Sequence, residues 1–305
     1  MITREEFYNK CQNIISAEDK AEMEKNKKKS KITKAVVLTI EIIGAILLAL
    51  INIFTLIGAA IAIIISLIII SSIFSYKWGK FKNKYADKII ECLLEGYSHQ
   101  FQPNGFIESS IFRSSCFCDY FEDYSGRDLL TVDIPKDDGS PSGTNLNVCD
   151  LRTTKEVTKT DSEGRSYKQT QIVYSGVFGY VKFPFGFKCN LVLNEYMRGT
   201  SKIKLEDINF NKTFSVYSNN QVEALVILTP TLMTKLTDFN KNVKGFKLAL
   251  TQEGYLFFGM ARDLFELKTS EKNLTKIFDR FYDDINNILA LVNEIKDNNK
   301  VFKMW

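Results

Sequence analysis

A single histidine, His99, in 305 residues leaves little room for several large classes of chemistry. Any Ser-His-Asp, Cys-His or multi-histidine metal arrangement would have to pass through that one imidazole. His99 stands just past a helix end beside Tyr97 and Ser98, where a capping or exposed ring is the ordinary outcome. Cysteine is scarce as well: Cys11, Cys92, Cys116, Cys118, Cys149 and Cys189 are too few and too irregular for a disulfide framework. Thiols in a reducing compartment are the expectation. The spacing of Cys116-Phe117-Cys118 would place both sulfurs on one face of a strand, and it matches neither a CxxC redox pair nor a zinc half-site. GxxxxGK[ST], GxGxxG and GxSxG are all missing, which removes the phosphate loop, the dinucleotide fingerprint and the nucleophile elbow. The sequence therefore names no catalytic residue, cofactor or resident metal, and it points away from an enzyme.

What the chain does have is an apolar run from Ala35 to Phe74, broken by one charge, Glu41. As one helix it would rise about 60 Å at 1.5 Å per residue, twice the ~30 Å hydrocarbon core of a bilayer. The run reads as a transmembrane helical hairpin within residues 35–76, with helices at about 35–51 and 56–75. The turn falls near Asn52-Ile53-Phe54-Thr55, where backbone polar groups would need interfacial water. Lys25, Lys27, Lys28, Lys29, Lys31 and Lys34 precede the run, and Lys77, Lys80, Lys82, Lys84 and Lys88 follow it. Lysines at both ends predict an even number of crossings with both termini cytoplasmic, hence a multi-pass inner-membrane protein. They also predict attraction to anionic headgroups along Lys25–Lys34 and Lys77–Lys88. Outside these flanks acidic residues outnumber basic ones, which argues against a nucleic-acid partner.

The remaining organisation follows from local patterns. Residues 1–34 hold a short helix, opened by Thr3 and Glu6 at capping-box spacing, and the basic segment. Residues 77–100 read as a juxtamembrane helix with Tyr85, Ile89, Ile90, Leu93, Leu94 and Tyr97 on one side. Residues 101–305 read as a cytoplasmic α+β domain, mainly antiparallel sheet with flanking helices. Strands are expected at Leu129–Ile134, Leu146–Val157, Tyr167–Val181, Cys189–Leu193 and Thr213–Tyr217. The polar stretch Thr158–Ser166 looks like the tip of a long hairpin. Thr229-Pro230 is a helix start, since Thr accepts at the N-cap and Pro needs no amide hydrogen at the first helical position. Lys247–Thr251 and Tyr255–Ala261 form a hairpin about Gln252-Glu253-Gly254. Apolar residues from Leu274 to Ile295 follow a 3.6-residue period.

The segment from Leu205 to Met233 contains Leu205-Glu206-Asp207, Phe210, Phe214-Ser215-Val216-Tyr217-Ser218, Gln221-Val222-Glu223-Ala224 and Leu228-Thr229-Pro230-Thr231-Leu232-Met233. These blocks resemble the signature of the bacterial domain-of-unknown-function 3137 family, in which "LED-x-x-F-x-x-x-F-x-V-Y-S" is followed by "Q-V-E-A" and "L-T-P-x-L-M". Val177-Phe178-Gly179 resembles the family's "V-F-x-G" strand, with Tyr180 where the usual second glycine would stand. The resemblance implies two adjacent membrane helices followed by a cytoplasmic domain, and it brings no reaction with it.

Several groups are candidates for function. Asp207, Asn209, Asn219, Asn220 and Glu223 form a polar set within the signature segment; the ordinary reading of that segment is a folding signature. Glu41 and Asn52 are intramembrane polar residues, Glu41 within reach of Lys34. Asp119, Glu122, Asp123 and Asp128 gather oxygen ligands around aromatics without EF-hand spacing. Phe183-Pro184-Phe185-Gly186-Phe187 is either a buried corner or an exposed apolar surface. Three functions compete. The leading expectation is a non-enzymatic binding or interaction module on a hairpin anchor, with a protein partner or a second copy. The second is a channel or transporter component assembled from the hairpins. The third is a membrane-associated enzyme using the carboxylates of residues 119–128.

Overall fold

A computed structural model describes residues 2–49, 61, 64–70, 72–73, 84–118, 120–135, 144–243, 245–264 and 274–297. The chain divides into two compact units, one formed by Leu94–Glu266 with Arg280–Trp305 and the other by Ile2–Leu93 with Leu267–Asp279.

In the second unit, α1 (Arg4–Ile14) opens with the expected capping box between Thr3 and Glu6. It buries Phe7 and Cys11, and Phe7 meets Phe278 edge-on at 6.1 Å between ring centroids. Helix α2 runs without interruption from Ala17 to Ala49. Asp19, near its start, accepts from Ser16, from Lys84 at 2.7 Å and from Tyr85. Those bonds, led by Lys84, hold its carboxyl far below the usual range. Residues 84–93 are helical, and Tyr85, Ile89, Ile90 and Leu93 are buried as their spacing predicts. The helix ends before the 94–96 turn, where Gly96 takes φ +86°; His99 and Gln100 belong to a strand instead.

The transmembrane hairpin is not found. Among the described residues no helix is long and apolar enough to cross a membrane. The described part of α2 carries the Lys- and Glu-rich segment in its first half and apolar residues 35–49 after it. The expectations of an α+β domain on a transmembrane helical hairpin and of a multi-pass inner-membrane location are corrected accordingly. Isoleucines on these helices, among them Ile40, Ile43, Ile64 and Ile68, are exposed. Residues 50–60, with Asn52 and Thr55, lie outside the described residues.

The first unit is sheet-rich; its described residues form nine strands in the order β1-β2-β3-β4-β9-β8-β5-β7-β6, every pairing antiparallel. The strands are β1 (His99–Gln102), β2 (Asp123–Asp133), β3 (Asn145–Thr160), β4 (Ser166–Lys182), β5 (Leu191–Leu193), β6 (Ser201–Ile203), β7 (Val216–Ser218), β8 (Lys247–Leu250) and β9 (Tyr255–Met260). The long hairpin of β3 and β4 and the short one of β8 and β9 stand where their turn residues predict. Directly paired residues share a face, so Thr131, Asn147, Tyr180, Phe257, Ala249, Val192 and Tyr217 form one row across the sheet. On this face Ile107, Phe112, Phe117 and Phe121, from the segment containing α3 (Ser109–Ser114), pack with Cys149, Phe178 and Phe257. Gly179 is required on the other face: a Cβ there would lie 2.2 Å from the Phe258 ring.

The unit's described residues also form helices α4 (Ile208–Thr213), α5 (Gln221–Ile227), α6 (Pro230–Asn242) and α7 (Leu274–Asp297), the last contributing to both units. Thr229 caps α6, its hydroxyl accepting from Leu232 N–H at 3.2 Å. Helix α7 buries Phe281, Ile285, Ile288, Leu289, Val292 and Ile295. Ion pairs join Lys235 of α6 to Glu294 and Arg262 to the buried Asp284.

Candidate functional site

The five polar residues of the signature segment separate into two sets. Asp207 caps α4, its Oδ1 accepting from Asn209 N–H at 2.8 Å and Phe210 N–H at 3.0 Å. Asn209 contributes its carbonyl, which accepts from the Thr213 hydroxyl at 3.0 Å, and its side chain is exposed. These bonds, with Asn211 reaching back to the Leu205 carbonyl at 2.6 Å, coil residues 208–213. The strand expected from Thr213 therefore begins only at Val216.

Asn219, Asn220 and Glu223 converge at a second place, the start of α5. Asn220 Oδ1 accepts from Val222 N–H at 3.1 Å and Glu223 N–H at 3.2 Å. The Asn219 side chain links two neighbours: its Oδ1 accepts from Asn190 N–H at 2.9 Å, and its Nδ2 donates to Gln252 Oε1 at 3.1 Å. Asn190 Oδ1 in turn accepts from Gln252 N–H at 2.8 Å, and its carbonyl accepts from the Ser218 hydroxyl at 2.7 Å. Lys188 faces Glu223 with 3.7 Å between Nζ and Oε2. The buried Cys189 thiol is pushed up, mainly by burial, against a lowering hydrogen bond from Ser218, with the Glu223 charge adding to the rise. Carboxamides here satisfy main-chain groups and each other, so the junction locks the approach to α5.

What the junction positions is unusual. Helix α5 buries Ala224 and Ile227, yet Val222, Leu225 and Val226, at i, i+3 and i+4, are 71%, 47% and 36% exposed. A surface helix ordinarily turns such a stripe inward. Ile208, at the start of α4, is also exposed. The stripe belongs to the Q-V-E-A block of the signature and was not singled out by pattern reading. Asn220 followed at the third helical position by Glu223 was the available signal for a helix start.

A second feature legible only in the fold is a margin of tyrosines about the Phe257 row, with Tyr180, Tyr217 and Tyr255 half-buried and Tyr196 exposed. Tyr255 stacks on Phe257 with centroids 5.1 Å apart, Tyr180 lies 6.3 Å from Tyr255, and Tyr196 meets Tyr217 edge-on at 5.9 Å. Lys182 Nζ sits 4.1 Å from the Tyr255 centroid. Burial raises the Tyr180 hydroxyl, with the Tyr255 hydroxyl adding to the rise.

The other candidates take ordinary places. Glu122 accepts from Glu156 N–H at 2.8 Å, Asp123 accepts from the Thr154 hydroxyl at 2.9 Å, and buried Asp128 lies 3.4 Å from Arg127 Nε. Asp119 is outside the described residues, among which no group of three or more His, Cys, Asp or Glu side chains is placed to hold a metal ion. His99 Nδ1 lies 3.0 Å from the Tyr97 carbonyl. Cys116 and Cys118 follow α3 in a turn and not on a strand: Ser115 Oγ accepts from Phe117 N–H at 3.3 Å, and Cys116 takes φ +62°. Glu41 lies in α2, where its Oε2 is enclosed and makes no hydrogen bond among the described residues. The 183–187 corner is both things at once: Phe183 and Phe187 are buried edge to face at 5.6 Å, and Phe185 is exposed.

The fold and its signature segment define a sheet-rich domain whose polar junction presents α5. The model of the family described as "Protein of unknown function (DUF3137)" matches residues 172–297 of this chain. The match takes in most of β4 and all of α4, α5, α6 and α7. A comparison with curated proteins gives no match. Among solved structures, the mycobacterial trehalose monomycolate transport factor A, TtfA, is similar at 10% identity and a TM-score of 0.37, over 66% of this chain and 91% of that one.

Proposed function

We propose that the sheet-rich unit is a non-enzymatic binding module that recognises a protein partner through the outward face of α5. The observation that carries this reading is the exposure of Val222, Leu225 and Val226 on one stripe of a helix whose start is held by Asn220, Asn219 and Glu223. Covering apolar side chains is worth roughly 25 cal/mol per Å² removed from water, so a partner that seats an apolar surface here gains by contact with all three. Pre-ordering of the helix lowers the entropy that binding must overcome. Ile208 extends the apolar character of the signature segment.

Site-specific photo-cross-linking tests the reading. A photoreactive residue at position 225 should yield a discrete adduct with a second protein, while the same residue at exposed Lys202 on edge strand β6 should not. Equal or absent adduct formation at the two positions contradicts the reading.

A further inference from the structure

The hairpin of β3 and β4 outgrows the sheet. Strand β2 pairs with β3 only as far as Thr154, and β9 pairs with β4 only from Val177, yet β3 and β4 remain paired to Thr160↔Ser166. The distal arm, residues 155–172, therefore has two strands and two open edges, and residues 166–172 are all exposed.

The two edges are treated differently. On the β3 side Glu122 caps Glu156 N–H at 2.8 Å, and the strand carries Lys155, Glu156 and Lys159. The β4 side, from Ser166 to Ile172, carries one charge, Lys168, and that charge is paired within the arm to Glu156 at 2.7 Å. It has no proline and no covering segment among the described residues. Natural proteins blunt open edges with charge, proline or cover; here one edge is blunted and the other is left ready to pair.

The hydrogen-bonding parity of that edge can be worked out. Thr154 O accepts from Glu122 N–H and Glu156 N–H is held by Glu122, so residues 154 and 156 turn their main-chain groups away from β4. Their partners Ile172 and Thr170, and by alternation Lys168, turn theirs away from β3 toward the open edge. A second β4 laid antiparallel about a two-fold axis at Thr170 sets Thr170 opposite its copy and Lys168 opposite Ile172. Each such pair exchanges both main-chain bonds, and no like charges meet.

We propose that the arm is a self-association element, and that a second copy of this chain adds to the open β4 edge to form a four-stranded ribbon in the order β3-β4-β4-β3. The occupant is a copy because the edge is self-complementary in parity and charge, as an isologous two-fold contact requires. Pairing also converts a two-stranded ribbon, marginal by itself in water, into a four-stranded one. The proposal does not rest on the α5 reading.

Light scattering coupled to size exclusion on the full chain, over rising concentration, decides it. The wild type should reach the dimer mass. Thr170→Pro removes an N–H that the β3 ladder does not use and should leave a monomer. Thr170→Lys, which places like charges opposite each other and leaves the backbone intact, should do the same if the proline variant fails to fold. A monomeric wild type, or a dimer that survives in folded Thr170→Lys, overturns the proposal.

Discussion

Asn220 Oδ1 lies 3.2 Å from the main-chain nitrogen of Glu223, and this cap fixes where α5 begins and so which of its side chains face outward. The same oxygen accepts from Val222 N–H, so one carboxamide serves two of the donors that a helix start leaves without intrahelical partners.

Replacing the cap should have a measurable cost. Asn220→Ala is expected to destabilise the protein by about 1 kcal/mol, within the 0.5–2 kcal/mol range for cap removal, while Asn220→Asp or Asn220→Ser retains most of the stability. Urea denaturation followed by circular dichroism, with unchanged slope, checks it.

Gly179 should resist any side chain. Gly179→Ala places a methyl 2.2 Å from the Phe258 ring, and overpacking of this kind costs roughly 1–3 kcal/mol. Adding Phe258→Leu removes the clashing ring edge, so the double variant should be more stable than the sum of the single effects predicts. Additivity within error in the same denaturation assay would show that the contact is not the cause.

Thiol chemistry should sort the cysteines by burial. Burial raises Cys11 to about 12, with a smaller push from Cys92, and raises Cys149 to about 12 against a lowering bond from Ile107 N–H. An ordinary thiol ionises near 8.5, so both stay protonated in the folded chain where an unfolded one already forms thiolate. The sign follows directly. Burial of these thiols contributes stability fully present below about pH 8.5, and that contribution is lost as pH rises toward 12. Labelling at pH 8 should modify half-buried Cys92, Cys116 and Cys118 first, and reach Cys11 and Cys149 only on addition of denaturant. Mass spectrometry of labelled peptides gives the order.

The parts of the fold that pattern reading reaches are those fixed within a few residues. The Thr3–Glu6 capping box, the Thr229-Pro230 helix start and the Gly254 turn, where φ is +88°, each depend on one or two local bonds. The elements that escape it are short and decided from outside. Strands β1 and β6, four and three residues long, are strands only because β2 and β7 lie beside them. Residues 208–213 became helix because Asp207 and Asn211 bind their own backbone, against the strand preference that Thr213 and Phe214 suggest. The apolar run misled in another way, because its hydropathy does not record that α2 begins at Ala17 and carries its charged half in one helix with the first isoleucines.

The candidate site was legible only as chemistry. Asn219, Asn220 and Glu223 stood out as polar residues, but their partners Lys188, Asn190 and Gln252 come from the segment before β5 and the turn after β8. The outward stripe of α5 was hidden for a different reason: Val222, Leu225 and Val226 look like core in sequence, and only the fold shows Ala224 and Ile227 taking that part.

The most direct measurement compares two pairs of substitutions on α5. Val222→Asp with Leu225→Asp changes only exposed positions and should alter stability by no more than about 0.5 kcal/mol, while abolishing the adduct that cross-linking from position 226 forms with a second protein. Ala224→Asp with Ile227→Asp places charges in the core and should unfold the domain. If the outward pair unfolds the domain as the inward pair does, or leaves a position-226 adduct undiminished, the face of α5 is not a docking surface.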